Sequence, residues 1–168
     1  MSTTIADPLA GQKLRLRESP RWALAITSVA LFMVTLDNLV VTMALPAIRR
    51  SLHASIQSLE WTVNAYTLTF AVLLLTGAAL GDRFGRRRMF VVGLAVFTAA
   101  SAAAALSPDT GLLIAARAVQ GAGAAIVLPL TLTLLSEATP PQRRGMALGI
   151  WSGVSGIGPL AGGAPEGR

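Results

Sequence analysis

Five long apolar runs dominate the sequence, and any fold must either bury them or place them in lipid. They cover residues 22–45, 61–80, 89–106, 112–135 and 145–163, with short polar links between them. A helix that crosses about 30 Å of hydrocarbon needs roughly 20 residues, a length that each run reaches or approaches. Only 13% of the residues are charged, about half the usual level of a soluble domain. The sequence therefore predicts an all-α integral membrane protein with five transmembrane helices.

The positions of the basic residues predict how these helices are oriented. Ten of the 14 lysines and arginines lie in the leader (1–21) and in the links that follow the second and fourth runs. Those three segments share one side of the membrane, whereas the opposite side holds only Arg49 and Arg50. Because Lys and Arg accumulate on the cytoplasmic side, we expect a cytoplasmic N-terminus and a multi-pass protein of the cell membrane. The same placement explains the net charge of +6 without a nucleic-acid partner.

The sequence lacks the residues that several kinds of chemistry require. The chain has no cysteine and a single histidine, His53, which argues against disulfides, thiolate metal sites and histidine-rich metal sites. It also has no phosphate-binding loop of the G-x-x-x-x-G-K-[ST] type. We therefore predict no metal site and no nucleotide-driven pump.

Two charged residues lie inside predicted spans, Asp37 in the first and Arg117 in the fourth, both in the outer half of the membrane. Each costs at least about 2.5 kcal/mol to insert, and such residues usually face a bundle interior or a watery cavity. They can form an ion pair that only packs helices, or a site for protons or a charged substrate. Asn64 and Tyr66 in the second span are candidates either for lining the same cavity or for bonds between helices.

Glycines mark where helices approach each other closely. In the fifth span they form one stripe, which predicts either close packing or a hinge or seal, and Pro159 in that span should kink the helix. The members of the stripe are Gly145, Gly149, Gly153, Gly156 and Gly163. Gly121 and Gly123 predict close packing beside Arg117.

The link after the second span, residues 81–88, is long enough only for a tight turn. Gly85 permits a positive φ there. Asp82 is the one acid among four arginines, so it is expected either to pair with them or to cap the N-terminus of a neighbouring helix.

Two of these segments resemble motifs of the major facilitator superfamily, and most closely those of its fourteen-span drug:proton antiporters. Residues 36–46, LDNLVVTMALP, are similar to L-D-x-T-V-V-N-x-A-L-P, with Leu39 and Thr42 where the pattern has Thr and Asn. The turn at 78–87 is similar to G-x-L-x-D-R-x-G-R-[RK], with Ala78 in place of its leading glycine.

Two further segments extend the resemblance to the fourth and fifth spans. Residues 117–123, RAVQGAG, resemble R-x-x-Q-G-x-G-A. Residues 158–163, GPLAGG, resemble the antiporter-associated G-P-x-x-G-G, although Val154 replaces a glycine that usually precedes it. The four motifs occur in the family's order, each on the expected span.

The resemblance implies a rocker-switch antiporter in which a proton gradient drives export of amphipathic compounds. It therefore implies a transporter that is not an enzyme and that needs no cofactor. It assigns proton coupling to Arg117, and the residues expected around the coupling site and cavity are Asp37, Asn64, Tyr66, Arg117 and Gln120. It implies a cytoplasmic gating latch formed by Asp82, Arg83, Gly85, Arg86 and Arg87. It implies an antiporter helix motif formed by Gly158, Pro159, Gly162 and Gly163.

With 168 residues and five predicted spans, the chain is shorter than a whole transporter of this kind, which needs twelve or fourteen spans. We expect a leader (1–21), a five-span N-terminal part of a facilitator domain (22–163) and an atypical tail (164–168). Such a chain would be a truncated product, inactive without the missing C-terminal spans. The alternatives are a complete small pump that works as a homo-oligomer and a non-transporting membrane scaffold.

Overall fold

The computed structural model describes residues 20–146, 148–149 and 152–153, with side chains from residue 24 onward. Its elements are four long helices and a short 3-10 helix: α1 Pro20–Ser51, α2 Ile56–Phe84, α3 Arg86–Ala105, α4 Thr110–Ala138 and the 3-10 helix Pro141–Arg143. Each of the four long helices is apolar and long enough to cross a membrane. The described residues contain no strand, and the prediction of an all-α membrane fold is confirmed.

The number of membrane-length helices is four within the described residues, rather than the five predicted. The predicted fifth span, 145–163, lies mostly outside the described part of the chain, as do the leader and the tail. The four observed helices correspond to the first four predicted spans but extend past most of their ends. Polar caps explain two of these extensions. Ser55 Oγ accepts the Ser58 N–H at 3.1 Å and starts α2 before its apolar run. Asp109 does the same for α4.

Helix α4 is the centre of the bundle. Half of its most apolar stretch is buried, against about a fifth of the corresponding stretch in each other helix. Its side chains contact α1 and α3, since Ala30 of α1 and Phe90 of α3 form one buried cluster with Val127. About one turn closer to the start of α4, Val34 of α1 and Phe97 of α3 cluster with Ala124. Both α1 and α3 therefore run antiparallel to α4.

Glycine lets α4 approach its neighbours at backbone distance. A Cβ placed on Gly121 would lie 2.4 Å from the carbonyl oxygen of Tyr66 on α2. A Cβ on Gly123 would lie 2.7 Å from the backbone nitrogen of Phe97 on α3. Small residues that bring backbones together are the usual basis of helix association in lipid. The predicted close packing of these two glycines is confirmed.

The glycine stripe of the fifth span shows no such packing. A Cβ built on Gly145, Gly149 or Gly153 would meet nothing within 4 Å. The predicted partner helix is therefore not found among the described residues. Pro159 and the two remaining glycines of the stripe lie outside the described part of the chain.

Candidate functional site

The two charges inside the membrane meet where α1 passes α4. Arg117 Nη1 lies 2.5 Å from Asp37 Oδ2. The Arg117 side chain is only 1% exposed and the Asp37 side chain 13%. Because removing an ion from water is costly, a cation this deeply buried needs an opposite charge and further hydrogen bonds. The structure therefore brings together the pair of residues that the sequence singled out.

Gln120 joins both members of this ion pair through the two ends of its side-chain amide. Its Nε2 donates to Asp37 Oδ1 at 2.6 Å, and its Oε1 accepts from Arg117 Nη1 at 2.8 Å. Gln120 lies three residues after Arg117 on α4, so both side chains project from the same face of the helix. Each carboxylate oxygen of Asp37 thus has its own donor, and Gln120 is completely buried.

Helix α2 supplies the remaining contacts of Arg117. Arg117 Nε donates to the Thr62 carbonyl oxygen at 3.4 Å. The guanidinium carbon lies 4.3 Å from the centre of the Tyr66 ring, within the range of a cation–π interaction. The Tyr66 hydroxyl accepts a hydrogen bond from Asn38 of α1 at 3.4 Å. We call the side chains of Asp37, Asn38, Tyr66, Arg117 and Gln120, together with the Thr62 carbonyl, the charge network.

Asn64 does not belong to the charge network. Thr62 and Tyr66 are four residues apart and share the face of α2 that packs on α4. At 100° per residue, Asn64 lies about 200° from each of them. It is exposed on the opposite face. Two members of the network, Asn38 and the Thr62 carbonyl, were not predicted. Asn38 could have been predicted because it directly follows Asp37. A backbone carbonyl cannot be predicted from residue type, since every residue has one.

The turn between α2 and α3 holds a second, more exposed charge cluster. Gly85 ends α2 with a φ of 96°, as the sequence predicted, and α3 starts at Arg86. Arg86 donates to Asp82 Oδ1 from Nε at 2.9 Å and from Nη2 at 2.8 Å. Its Nη1 donates to Glu137 in the last turn of α4. Asp82 therefore pairs with an arginine, the first of its two predicted roles.

The Arg86 side chain joins the ends of three helices through this cluster. Asp82 belongs to α2 and Glu137 to α4. Glu137 was missed from the sequence, although an acid at the end of a span that faces an arginine-rich turn is a recognisable signal. Arg83 lies over the Phe84 ring, 5.6 Å from its centre, and Arg87 is exposed at the start of α3. The last predicted motif lies outside the described residues, with its members Gly158, Pro159, Gly162 and Gly163.

Comparison with known proteins relates this chain to membrane exporters. The sequence profile of the Major Facilitator Superfamily matches residues 27–165. An uncharacterised MFS-type transporter of Mycobacterium tuberculosis is 41% identical over 98% of this chain. The tetracenomycin C resistance and export protein of Streptomyces glaucescens is 43% identical over 88% of the chain. The cephamycin export protein of Amycolatopsis lactamdurans is 46% identical over 83% of it.

The matches cover most of this chain but only a small part of each relative. The chain spans between 28% and 29% of the length of these three relatives. The family profile nevertheless covers most of the chain, and it matches a structure of apolar, membrane-length helices. The chain is thus a multi-pass membrane protein that belongs to the major facilitator superfamily.

Proposed function

We propose that this chain forms part of a proton-coupled antiporter that exports drugs or antibiotics by alternating access. Asp37 is the group that gains and loses the proton, and Arg117 and Gln120 are its partners. The observation that carries the proposal is the ion pair between Arg117 and Asp37 at 2.5 Å in the membrane interior. Ionisable groups at such positions commonly mark proton or substrate pathways. Two relatives are named as export proteins, which supports the same direction of transport.

Protonation of Asp37 would change the forces between α1 and α4. A neutral carboxyl group no longer compensates the buried Arg117 cation, and a buried charge without its counter-ion is strongly destabilising. The bundle can relieve this by moving α1 or by admitting water or a polar substrate. Loss of the proton restores the ion pair. The proton thus becomes coupled to the relative position of two helices, as alternating access requires.

The second charge cluster would act as a latch at the cytoplasmic end. We place the arginine-rich turn in the cytoplasm of a cell-membrane protein because Lys and Arg accumulate on that side. Arg86 connects Asp82 with Glu137, and all three side chains are at least one-third exposed. Exposed ion pairs contribute little stability and are screened by salt. A latch made from them can open and close without a large barrier.

The test needs a complete transporter, and a relative provides one. The matched part of the tetracenomycin C export protein is replaced by this chain, and the chimaera is reconstituted in liposomes. Two rates are measured with labelled substrate. One is export driven by an imposed proton gradient, and the other is substrate exchange with no gradient. The variant is Asp37→Asn. The control is Glu60→Gln, which neutralises an exposed carboxylate at the start of α2.

We expect Asp37→Asn to lower the rate of proton-driven export much more than the rate of substrate exchange. Asp37→Asn should lower proton-driven export at least tenfold, because the proton can no longer bind, while exchange stays within about threefold of the unsubstituted chimaera. Glu60→Gln should leave both rates unchanged. If proton-driven export survives Asp37→Asn, Asp37 is not the coupling residue. If both rates fall together, the ion pair only packs the helices.

A further inference from the structure

Arg117 is held by Gln120 of its own helix and by two further sets of contacts, which come from two other helices. Helix α1 supplies the carboxylate of Asp37. Helix α2 supplies the face of the Tyr66 ring and the Thr62 carbonyl oxygen. Neutralising Asp37 removes only the first set. The second remains in place, since none of its groups changes charge.

We propose that Tyr66 is a positioning residue that keeps the Arg117 cation in place while Asp37 is neutral. For its role in transport the inference rests on the proposed function, but the contact itself can be tested without transport. Tyr66 does not carry the proton. It acts through Arg117, which stays ready to pair with Asp37 again when the proton leaves.

The geometry of the ring suits this role. Tyr66 is 6% exposed and Arg117 1%. A cation over an aromatic face is held more tightly in such a water-poor environment than at a surface. The Tyr66 ring stacks on Phe70, with ring centres 6.2 Å apart and planes within 1° of parallel. Its hydroxyl accepts from Asn38. The contact with Phe70 lies within α2 and does not depend on α1, whereas the bond from Asn38 does.

Backbone packing attaches the ring to the helix that carries the cation. The Tyr66 carbonyl oxygen would lie 2.4 Å from a Cβ on Gly121, so the backbones of α2 and α4 touch at this level. Gly121 is one turn from Arg117. The ring and the guanidinium therefore move together. Helix α1 has no equivalent glycine contact among the described residues, and its charged link to this unit is Asp37.

The first test is a double-mutant cycle on the stability of the full 168-residue chain in bicelles, followed by tryptophan fluorescence during unfolding. The variants are Tyr66→Leu, Asp37→Asn and the double variant. Tyr66→Phe keeps the ring but removes the hydroxyl. Phe70→Leu is the matched control, because it removes an aromatic ring from the same stack without touching Arg117. Each Tyr66 or Phe70 variant is measured with Asp37 and with Asn at that position.

The contacts that α1 and α2 make with Arg117 compensate for each other, so losing both should cost more than the sum of the single losses. Tyr66→Leu should lower the folding equilibrium constant about tenfold more in the Asp37→Asn background than with Asp37 present. Tyr66→Phe and Phe70→Leu should show no such excess. An additive result for Tyr66→Leu overturns the inference, and so does an equal excess for Phe70→Leu. If the double variant does not fold while Tyr66→Phe with Asp37→Asn does, the ring requirement is supported.

The second test measures substrate exchange in the chimaera without a proton gradient. In the Asp37→Asn background, Tyr66→Leu should slow exchange about tenfold, and Tyr66→Phe should restore it. Equal exchange by the Leu and Phe variants overturns the role in transport. The two proposals fail separately. Proton-driven export that survives Asp37→Asn would refute the proposed coupling, whereas an additive cycle would refute only the positioning role of Tyr66.

Discussion

The contact between Gly121 and the Tyr66 backbone leads to a quantitative prediction for Gly121→Ala. The added Cβ would lie 2.4 Å from the Tyr66 carbonyl oxygen and 3.1 Å from the Tyr66 carbonyl carbon. Contacts under 3.0 Å are essentially never seen for real Cβ atoms. The two helices must therefore separate by about 0.6 Å or more, the difference between 2.4 Å and the 3.0 Å limit. The obstructing atom is backbone inside a helix, so no side-chain rotation relieves the overlap.

The expected loss of stability is the difference between two opposing effects. Overpacking costs about 1–3 kcal/mol, and an immovable backbone atom places this site at the upper end. The better helix propensity of Ala returns up to about 1 kcal/mol. We therefore expect Gly121→Ala to lower the free energy of unfolding by about 2 kcal/mol. The separation also carries the Tyr66 ring away from Arg117, which adds to the loss.

The measurement is equilibrium unfolding of the chain in bicelles, with Gly149→Ala as the control. Gly149 is helical and exposed, and a Cβ there meets nothing within 4 Å. Its replacement should leave stability unchanged or raise it by up to about 1 kcal/mol. A free energy of unfolding for Gly121→Ala within about 0.5 kcal/mol of the original chain, the range of an ordinary surface substitution, would contradict the predicted clash.

Three further predictions use the same unfolding assay. Gly85→Ala should destabilise by about 1–3 kcal/mol from backbone strain alone, because Gly85 has a φ of 96° with no neighbour within 4 Å of its Cβ position; a cost equal to that of Gly149→Ala contradicts this. Gln120→Leu should cost about 1–3 kcal/mol, since Asp37 and Arg117 each lose a buried partner, and an unchanged stability would show that the amide is dispensable. Asp109→Ala should cost about 1 kcal/mol through loss of the cap on α4, whereas Asp109→Ser should recover most of it.

Some of this architecture follows directly from the sequence. Four predicted spans correspond to observed helices because hydropathy and the length of a membrane-crossing helix leave few alternatives. Asp37 and Arg117 could be paired by their similar depth, and a positive φ at Gly85 was expected where a tight turn separates two helices. These features depend on local composition or on position along the membrane normal. Both quantities can be read from a single sequence.

Other features depend on which face of a helix meets which neighbour. Asn64 and Tyr66 were equivalent candidates by polarity and depth, yet their angular separation on α2 places only Tyr66 against Arg117. The helix ends were misplaced because caps such as Ser55 lie outside the apolar runs. Glu137 became a partner of Arg86 only through the packing of α4 beside the turn. None of these follows from hydropathy. The contacts of Tyr66 and Glu137 need the rotation of one helix relative to another, and the cap at Ser55 depends on a polar residue outside the apolar run.

The distribution of contacts around α4 separates rigid packing from switchable packing. Apolar helix surfaces in lipid have no hydrophobic reason to prefer each other to the acyl chains, so specific association relies on close backbone approach and on polar bonds. Helix α4 meets α2 and α3 by close approach, through Gly121 and Gly123. It meets α1 through apolar contacts of Ala30 and Val34 and through the ion pair of Asp37 with Arg117. Backbone contact does not respond to a proton, but an ion pair does. If Asp37 carries the coupled proton, as we propose, its change of charge would act on α1 while the glycine contacts keep α2, α3 and α4 together.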